Sequence, residues 1–279
     1  MLVDVAQLFT QLENSHWVVF DCRHDLLHPT RGEALYCQSH IPGAVFAPVE
    51  SVLSGEKDGT NGRHPLPAPE AFARFLEDHG VSDTTQVIAY DDVGGQYAAR
   101  LWWMAEWIGL RHVAVLDGGW PKWIEAGFPV TAEVGKPRAR GTIHVECDST
   151  KWVTLARVEE AILSGTALII DARAPERFRG ETEPLDRVAG HIPSARNRFF
   201  RNNLNGDLTM RPSEALRREF EELLQGRAAS EVIHQCGSGI TACANLLAME
   251  YAGLSGSKLY PGSWSEWCSD PQRPVAVGP

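Results

Sequence analysis

Apolar runs rich in β-branched side chains punctuate this chain and alternate with segments of helical period. WVVFDCR (17–23), TQVIAYDD (85–92), ALIIDAR (167–173) and SEVIHQCG (230–237) are short and nearly continuous, the signature of strands buried on both faces. PEAFARFLEDHG (69–80) and SEALRREFEELLQG (213–226) carry helical patterns, the second with Ser213 placed as an N-cap and Gly226 just past its end. Strands alternating with helices predict βαβ units: a mainly parallel sheet with helices on both faces, the α/β class. The opening MLVDVAQLFTQLENSHW (1–17) mixes acids with apolar residues and reads as a folded amphipathic helix rather than a signal peptide.

The pattern occurs twice. Asp21-Cys22-Arg23 after the first run answers Asp171-Ala172-Arg173 after the third. His40-Ile41-Pro42-Gly43-Ala44 answers His191-Ile192-Pro193-Ser194-Ala195. Asp91 answers Cys236, and Gly118-Gly119-Trp120 with Trp123 answers Gly262-Ser263-Trp264 with Trp267. Four landmarks in the same order, at offsets between 144 and 151 residues, mean a tandem duplication. The boundaries read as a first copy over 1–132, a linker rich in Pro, Gly and charge over 133–150, and a second copy over 151–279.

Composition narrows what such a chain can do. A net charge of −10 with no basic run is unsuited to nucleic acid or an anionic membrane, and leaves small anions only through a local basic pocket. No apolar run is long enough to span a bilayer. Six cysteines (Cys22, Cys37, Cys147, Cys236, Cys243, Cys268) lie scattered without a CxxC pair, which argues against a zinc cage and a disulfide scaffold and for a reducing, cytoplasmic setting.

One cysteine stands apart. Cys236 ends a strand and is followed by Gly237-Ser238-Gly239-Ile240-Thr241 and then a helix, so it faces the first N–H groups of that helix, where an anion is favoured. Two glycines let the backbone curl until several amides converge on one sulfur, and Ser238 and Thr241 add hydroxyls. Cys22, Cys147, Cys243 and Cys268 read as small buried residues.

On these residues the chain resembles the two-domain rhodanese superfamily, and Cys236-Gly237-Ser238-Gly239-Ile240-Thr241-Ala242 is similar to the active-site loop of its 3-mercaptopyruvate sulfurtransferases. The resemblance also covers both His-Ile-Pro turns, Tyr90-Asp91, Arg100-Leu101-Trp102-Trp103 and Tyr260-x-Gly262-Ser263-Trp264-x-Glu266-Trp267. It implies two tandem rhodanese-like domains, the first inactive with Asp91 at the cysteine position. The second would carry sulfur as a persulfide on Cys236, taken from 3-mercaptopyruvate with release of pyruvate and passed to a thiol, thioredoxin or cyanide, without a metal or organic cofactor.

The resemblance also assigns donor binding to Arg177 and Arg187, although Arg187 stands one residue further from Arg177 than the family spacing leads one to look. It assigns proton handling to Ser238 with His40, but Arg31 occupies the place of the expected acid, leaving Glu33 and Asp25 as substitutes. His64, in Gly62-Arg63-His64-Pro65-Leu66-Pro67, matches a loop near the substrate. His191 reads as a scaffold residue and Arg179 as solvated charge. Thiosulfate-preferring relatives place bases directly after the cysteine; the neutral Gly237 and Ser238 therefore favour mercaptopyruvate, with thiosulfate:cyanide sulfurtransferase as the alternative. A phosphatase of the same fold would need a longer loop ending in an arginine, and Ala242-Cys243 stands there. A non-catalytic binding module would lack the cysteine.

Overall fold

The computed structural model describes all residues, 1–279. The chain forms two compact units. The first comprises Met1–Gly55, Leu66–Asp148 and Asn205–Met210; the second comprises Glu56–Pro65, Ser149–Leu204 and Arg211–Pro279. Residues 56–65 thus belong to the second unit although they lie within the first sequence repeat.

In the first unit, β1 (Leu2–Val3), β2 (Trp17–Asp21), β3 (Val45–Phe46), β4 (Gln86–Tyr90) and β5 (Val113–Leu116) form a parallel sheet in the order β1-β5-β4-β2-β3. Its helices are α1 (Val5–Thr10), α2 (Arg31–Gln38), α3 (Pro69–Asp78), α4 (Ala98–Trp107) and α5 (Gly119–Glu125). Val19, Ile88, Tyr90, Ala114 and Trp123 pack in one core. The opening segment is therefore a short strand followed by a helix, with the Asp4 side chain accepting from Gln7 N at 2.7 Å to cap α1. Helix α4 is apolar nearly all round and almost wholly buried, as that pattern requires. Residues 133–148 run along this unit without regular structure, tied by bonds such as Gly141 N to Glu77 O and Asp148 N to Trp107 O. Asn205–Met210 forms a strap on the same unit, with Met210 N donating to Asp117 at 2.7 Å and Lys122 paired to Asp207 at 3.0 Å.

The second unit holds α6 (Leu155–Ser164), β6 (Leu168–Asp171), α7 (Pro175–Phe178), β7 (Arg196–Asn197), α8 (Ser213–Leu224), β8 (Val232–Gln235), α9 (Ala242–Tyr251), β9 (Lys258–Leu259) and α10 (Ser263–Trp267). Its parallel sheet runs β7-β6-β8-β9, the same arrangement as β3-β2-β4-β5, and a parallel bridge from Trp152 to Leu259 stands where β1 does. Ser213 is the first helical residue of α8 rather than its cap; Pro212 precedes it, and Gln225 takes the left-handed turn at the far end.

Equivalent side chains do equivalent work in the two units. The Arg23 guanidinium grips Asp21 and lies 4.4 Å over the Trp120 ring; Arg173 grips Asp171 and lies 4.9 Å over Trp264. His40 stacks on Tyr36 and its backbone pairs with Thr131, while His191 stacks on Phe178 and pairs with Ala276.

Candidate active site

Strand β8 delivers Cys236 to the carboxyl end of the second sheet, where open parallel sheets place their ligands. The residue is buried. Its loop is clamped from the side by the start of α10: Cys236 N donates to Ser263 Oγ at 3.1 Å, Trp264 N to Cys236 O at 3.0 Å, and Ser265 N to Gly237 O at 2.9 Å. Gly239 has φ of 77°, and a Cβ there would strike the Pro261 carbonyl, so this turn demands glycine. Ile240 is buried, and Thr241 precedes α9, whose first N–H groups have no partner within the helix.

The duplicated loop shows what this geometry is suited to hold. Asp91, at the carboxyl end of β4, is buried, and its carboxylate accepts from four backbone amides: Val93 and Gly95 at 2.9 and 2.8 Å, Tyr97 and Ala98 at 2.8 and 3.1 Å. Burial still wins over those bonds and raises its carboxyl above the ordinary value. Trp120 N donates to Asp91 O at 2.8 Å, the counterpart of Trp264 on Cys236. The first unit thus cradles a carboxyl group in converging amides at the position of the cysteine.

Around Gly237 the second unit gathers cations. Arg177, on α7, donates from Nη2 to Glu183 at 2.6 Å and from Nε at 3.2 Å, with Asp186 at 3.5 Å. Arg63 donates to Asp186 on the other side of that acid, and its backbone N is fixed to Ser265 Oγ at 3.0 Å. A methyl group on Gly237 would lie 2.9 Å from Arg63 Nη2 and 3.5–3.6 Å from the Nη atoms of Arg177. Burial, and then the charge of Arg177, lower the affinity of the Arg63 guanidinium for its proton, while Cys236 acts in the opposite direction. Arg187 is exposed and lines a pocket of about 280 Å³ together with Arg63, Asp186, Ser265 and Cys268.

The same loop brings a histidine to the serine. Ser238 and His64 are both buried, with Ser238 Oγ 2.7 Å from His64 Nδ1. The sequence expectation of His40 in this role is corrected: His40 is buried in the first unit, its Nδ1 2.8 Å from Tyr36 O and its Nε2 3.2 Å from Glu133 O. Both nitrogens face backbone carbonyls of a turn, which is the scaffold task of His191. Asp25, one of the acids considered for it, is paired with Arg31 at 3.0 Å. Arg63 is the residue that sequence reasoning passed over; only its neighbour His64 had been marked. Burial pushes the thiols of Cys22 and Cys268 up, away from reactivity.

The rhodanese-like domain model matches this chain twice, over residues 4–126 and 154–270. The chain belongs to the rhodanese-like family. It is 43% identical over 279 residues to a probable 3-mercaptopyruvate sulfurtransferase of Pseudomonas aeruginosa, covering 99% of this chain and 98% of that one. It is 35% identical to a putative thiosulfate sulfurtransferase of Mycobacterium tuberculosis, over 100% and 97% of the two chains. Among solved structures, 3-mercaptopyruvate sulfurtransferase from Leishmania major superimposes with a TM-score of 0.83 at 30% identity, covering 96% of this chain and 74% of that one. Within the rhodanese-like family, then, the chain falls among the sulfurtransferases. No helix is long and apolar enough to cross a membrane.

Proposed function

We propose that this rhodanese-family chain takes sulfur from 3-mercaptopyruvate onto Cys236, releases pyruvate, and passes the sulfur to a thiol, thioredoxin or cyanide, in a cytoplasmic setting. The Cys236 thiolate donates an electron pair to the donor sulfur, forming an S–S bond as the C–S bond breaks. The electrons of the broken bond leave on the pyruvate enolate, which then takes up a proton. Arg177 grips the donor by its fork, so charge developing on the enolate is met where it forms. The persulfide anion rests against Gly237, Gly239, Ile240 and Thr241, in the kind of cradle that Asp91 occupies in the first unit. A thiol or cyanide then attacks the outer sulfur and returns the Cys236 thiolate. The scheme calls on no metal or organic cofactor.

The observation that carries the reading is the Ser238–His64 hydrogen bond of 2.7 Å, on the loop of Cys236. An enolate leaving group needs a proton, and a buried hydroxyl relayed to an imidazole supplies one. Sulfite, the leaving group of thiosulfate, needs none. The two guanidinium edges at Gly237 also offer N–H donors to the oxygens of thiosulfate, which favours a second reading with that donor. A side-by-side measurement of kcat/KM for the two donors tests the choice. Mercaptopyruvate should lead by at least about tenfold, a difference of 1.4 kcal/mol in transition-state binding; a lead for thiosulfate would reverse the order of the two readings.

A further inference from the structure

We propose that Arg63, delivered by the loop before His64 and held by Asp186, is the second donor-gripping guanidinium of this site, in the role that the family resemblance assigns to Arg187. The inference rests on the mercaptopyruvate reading above. An α-keto carboxylate presents two oxygen-bearing groups side by side, and two forks are needed to grip both. Two guanidinium edges converge on the residue after the nucleophile: Arg63 Nη2 2.9 Å, and Arg177 Nη1 3.6 Å, from the point where a Gly237 Cβ would sit. Each arginine is backed by an acid: Arg63 through Nη1 on Asp186, leaving Nη2 toward Gly237, and Arg177 through Nε and Nη2 on Glu183, leaving Nη1. The acids hold the forks in place, so little freedom is left to lose when a donor binds.

Arg187 has none of this: its side chain is exposed. The residue one step nearer to Arg177, where the spacing would set a second arginine, is Asp186, and Asp186 is what receives Arg63. The acid at 186 anchors an arginine from another segment of the same unit. The arrangement also bears on donor choice. Two cations against two acids leave directional N–H donors at the rim with little net charge, which suits a monocarboxylate better than a dianion. A side chain at 237 would have to displace the Arg63 guanidinium.

Full-length variants test this by steady-state pyruvate release. Arg63→Ala should raise KM for mercaptopyruvate about 10- to 150-fold, the range for a lost charge-assisted contact. Arg187→Ala should stay within about twofold of wild type. The paired exchange Arg63→Asp with Asp186→Arg, which returns a guanidinium to this spot from the other side, should recover at least about tenfold of the loss. Where Arg63→Ala does not fold, Arg63→Lys serves, since an ammonium keeps the charge without the fork and should still raise KM by at least about fivefold. A folded Arg63 variant with wild-type KM, a loss confined to kcat, a paired exchange that recovers nothing, or a KM effect in Arg187→Ala instead would each overturn the assignment. A wild type that releases no pyruvate sinks the donor reading itself; an active wild type with an Arg63 variant of unchanged KM sinks this inference alone.

Discussion

Replacing Ser238 by alanine separates proton delivery from every other property of the site. The hydroxyl is buried, 2.7 Å from His64 Nδ1, and lies one residue beyond Gly237, where the arginines converge. Its loss leaves Arg177 and Arg63 in place, so KM for mercaptopyruvate should move by no more than about threefold. General acid catalysis is worth about 10²–10⁴-fold, so kcat for mercaptopyruvate should fall at least about 100-fold, or ~2.7 kcal/mol at 1.36 kcal/mol per decade. Sulfite leaves thiosulfate without needing a proton, and turnover of that donor should change by no more than about threefold. One buried hydrogen bond is lost from the fold, costing about 1 kcal/mol and a few degrees in thermal midpoint. The assay is pyruvate release from one donor and sulfite release from the other, on the same preparation. Equal losses with both donors would mean that Ser238 only shapes the loop. Unchanged turnover of mercaptopyruvate would remove the proton relay from the account.

Two further variants probe the binding edge and the turn. Arg177→Ala should raise KM for mercaptopyruvate by about 10- to 150-fold, from the 1.5–3 kcal/mol of a charge-assisted bond. It should also lower the thermal midpoint, because Glu183 would keep Arg173, at 3.3 Å, as its one guanidinium beside the Leu185 and Asp186 amides, and an unchanged KM would return Arg177 to a purely structural ion pair. Gly239→Ala places a side chain at φ of 77° against the Pro261 carbonyl and should cost about 2–4 kcal/mol in denaturant unfolding along with most of the activity; wild-type stability would show that the turn relaxes freely.

The duplication, the parallel sheets and Cys236 at a strand end were all legible because they depend on local pattern: apolar runs, glycine spacing and a motif repeated at a near-constant offset. The partner of Ser238 was legible only in part: the sequence places His64 near the substrate but pairs the serine with His40. His40 and His191 share a motif, and that sharing itself pointed to a common scaffold task, which the paired contacts on Tyr36 and Phe178 express. His64 sits in a segment that belongs to the second unit although it lies in the first sequence repeat, and no periodicity announces such an exchange. Arg63 was missed for a similar reason. Gly237 and Ser238 were taken as a neutral rim because only their own side chains were counted. Arg63 is 174 residues from Gly237 in the chain and reaches it through Asp186, a residue that sequence alone presents as one more solvated acid. An arginine introduced directly at 237 would collide with the guanidinium already there.

The central claim is that sulfur is carried on Cys236. Incubating the protein with mercaptopyruvate, without acceptor, and mapping its peptides by mass spectrometry tests it most directly. The account predicts one added sulfur, about 32 mass units, on the peptide containing Cys236, with one equivalent of pyruvate released and neither event in Cys236→Ser. Sulfur found on Cys37, Cys147 or another thiol, or pyruvate release that persists in Cys236→Ser, would contradict it.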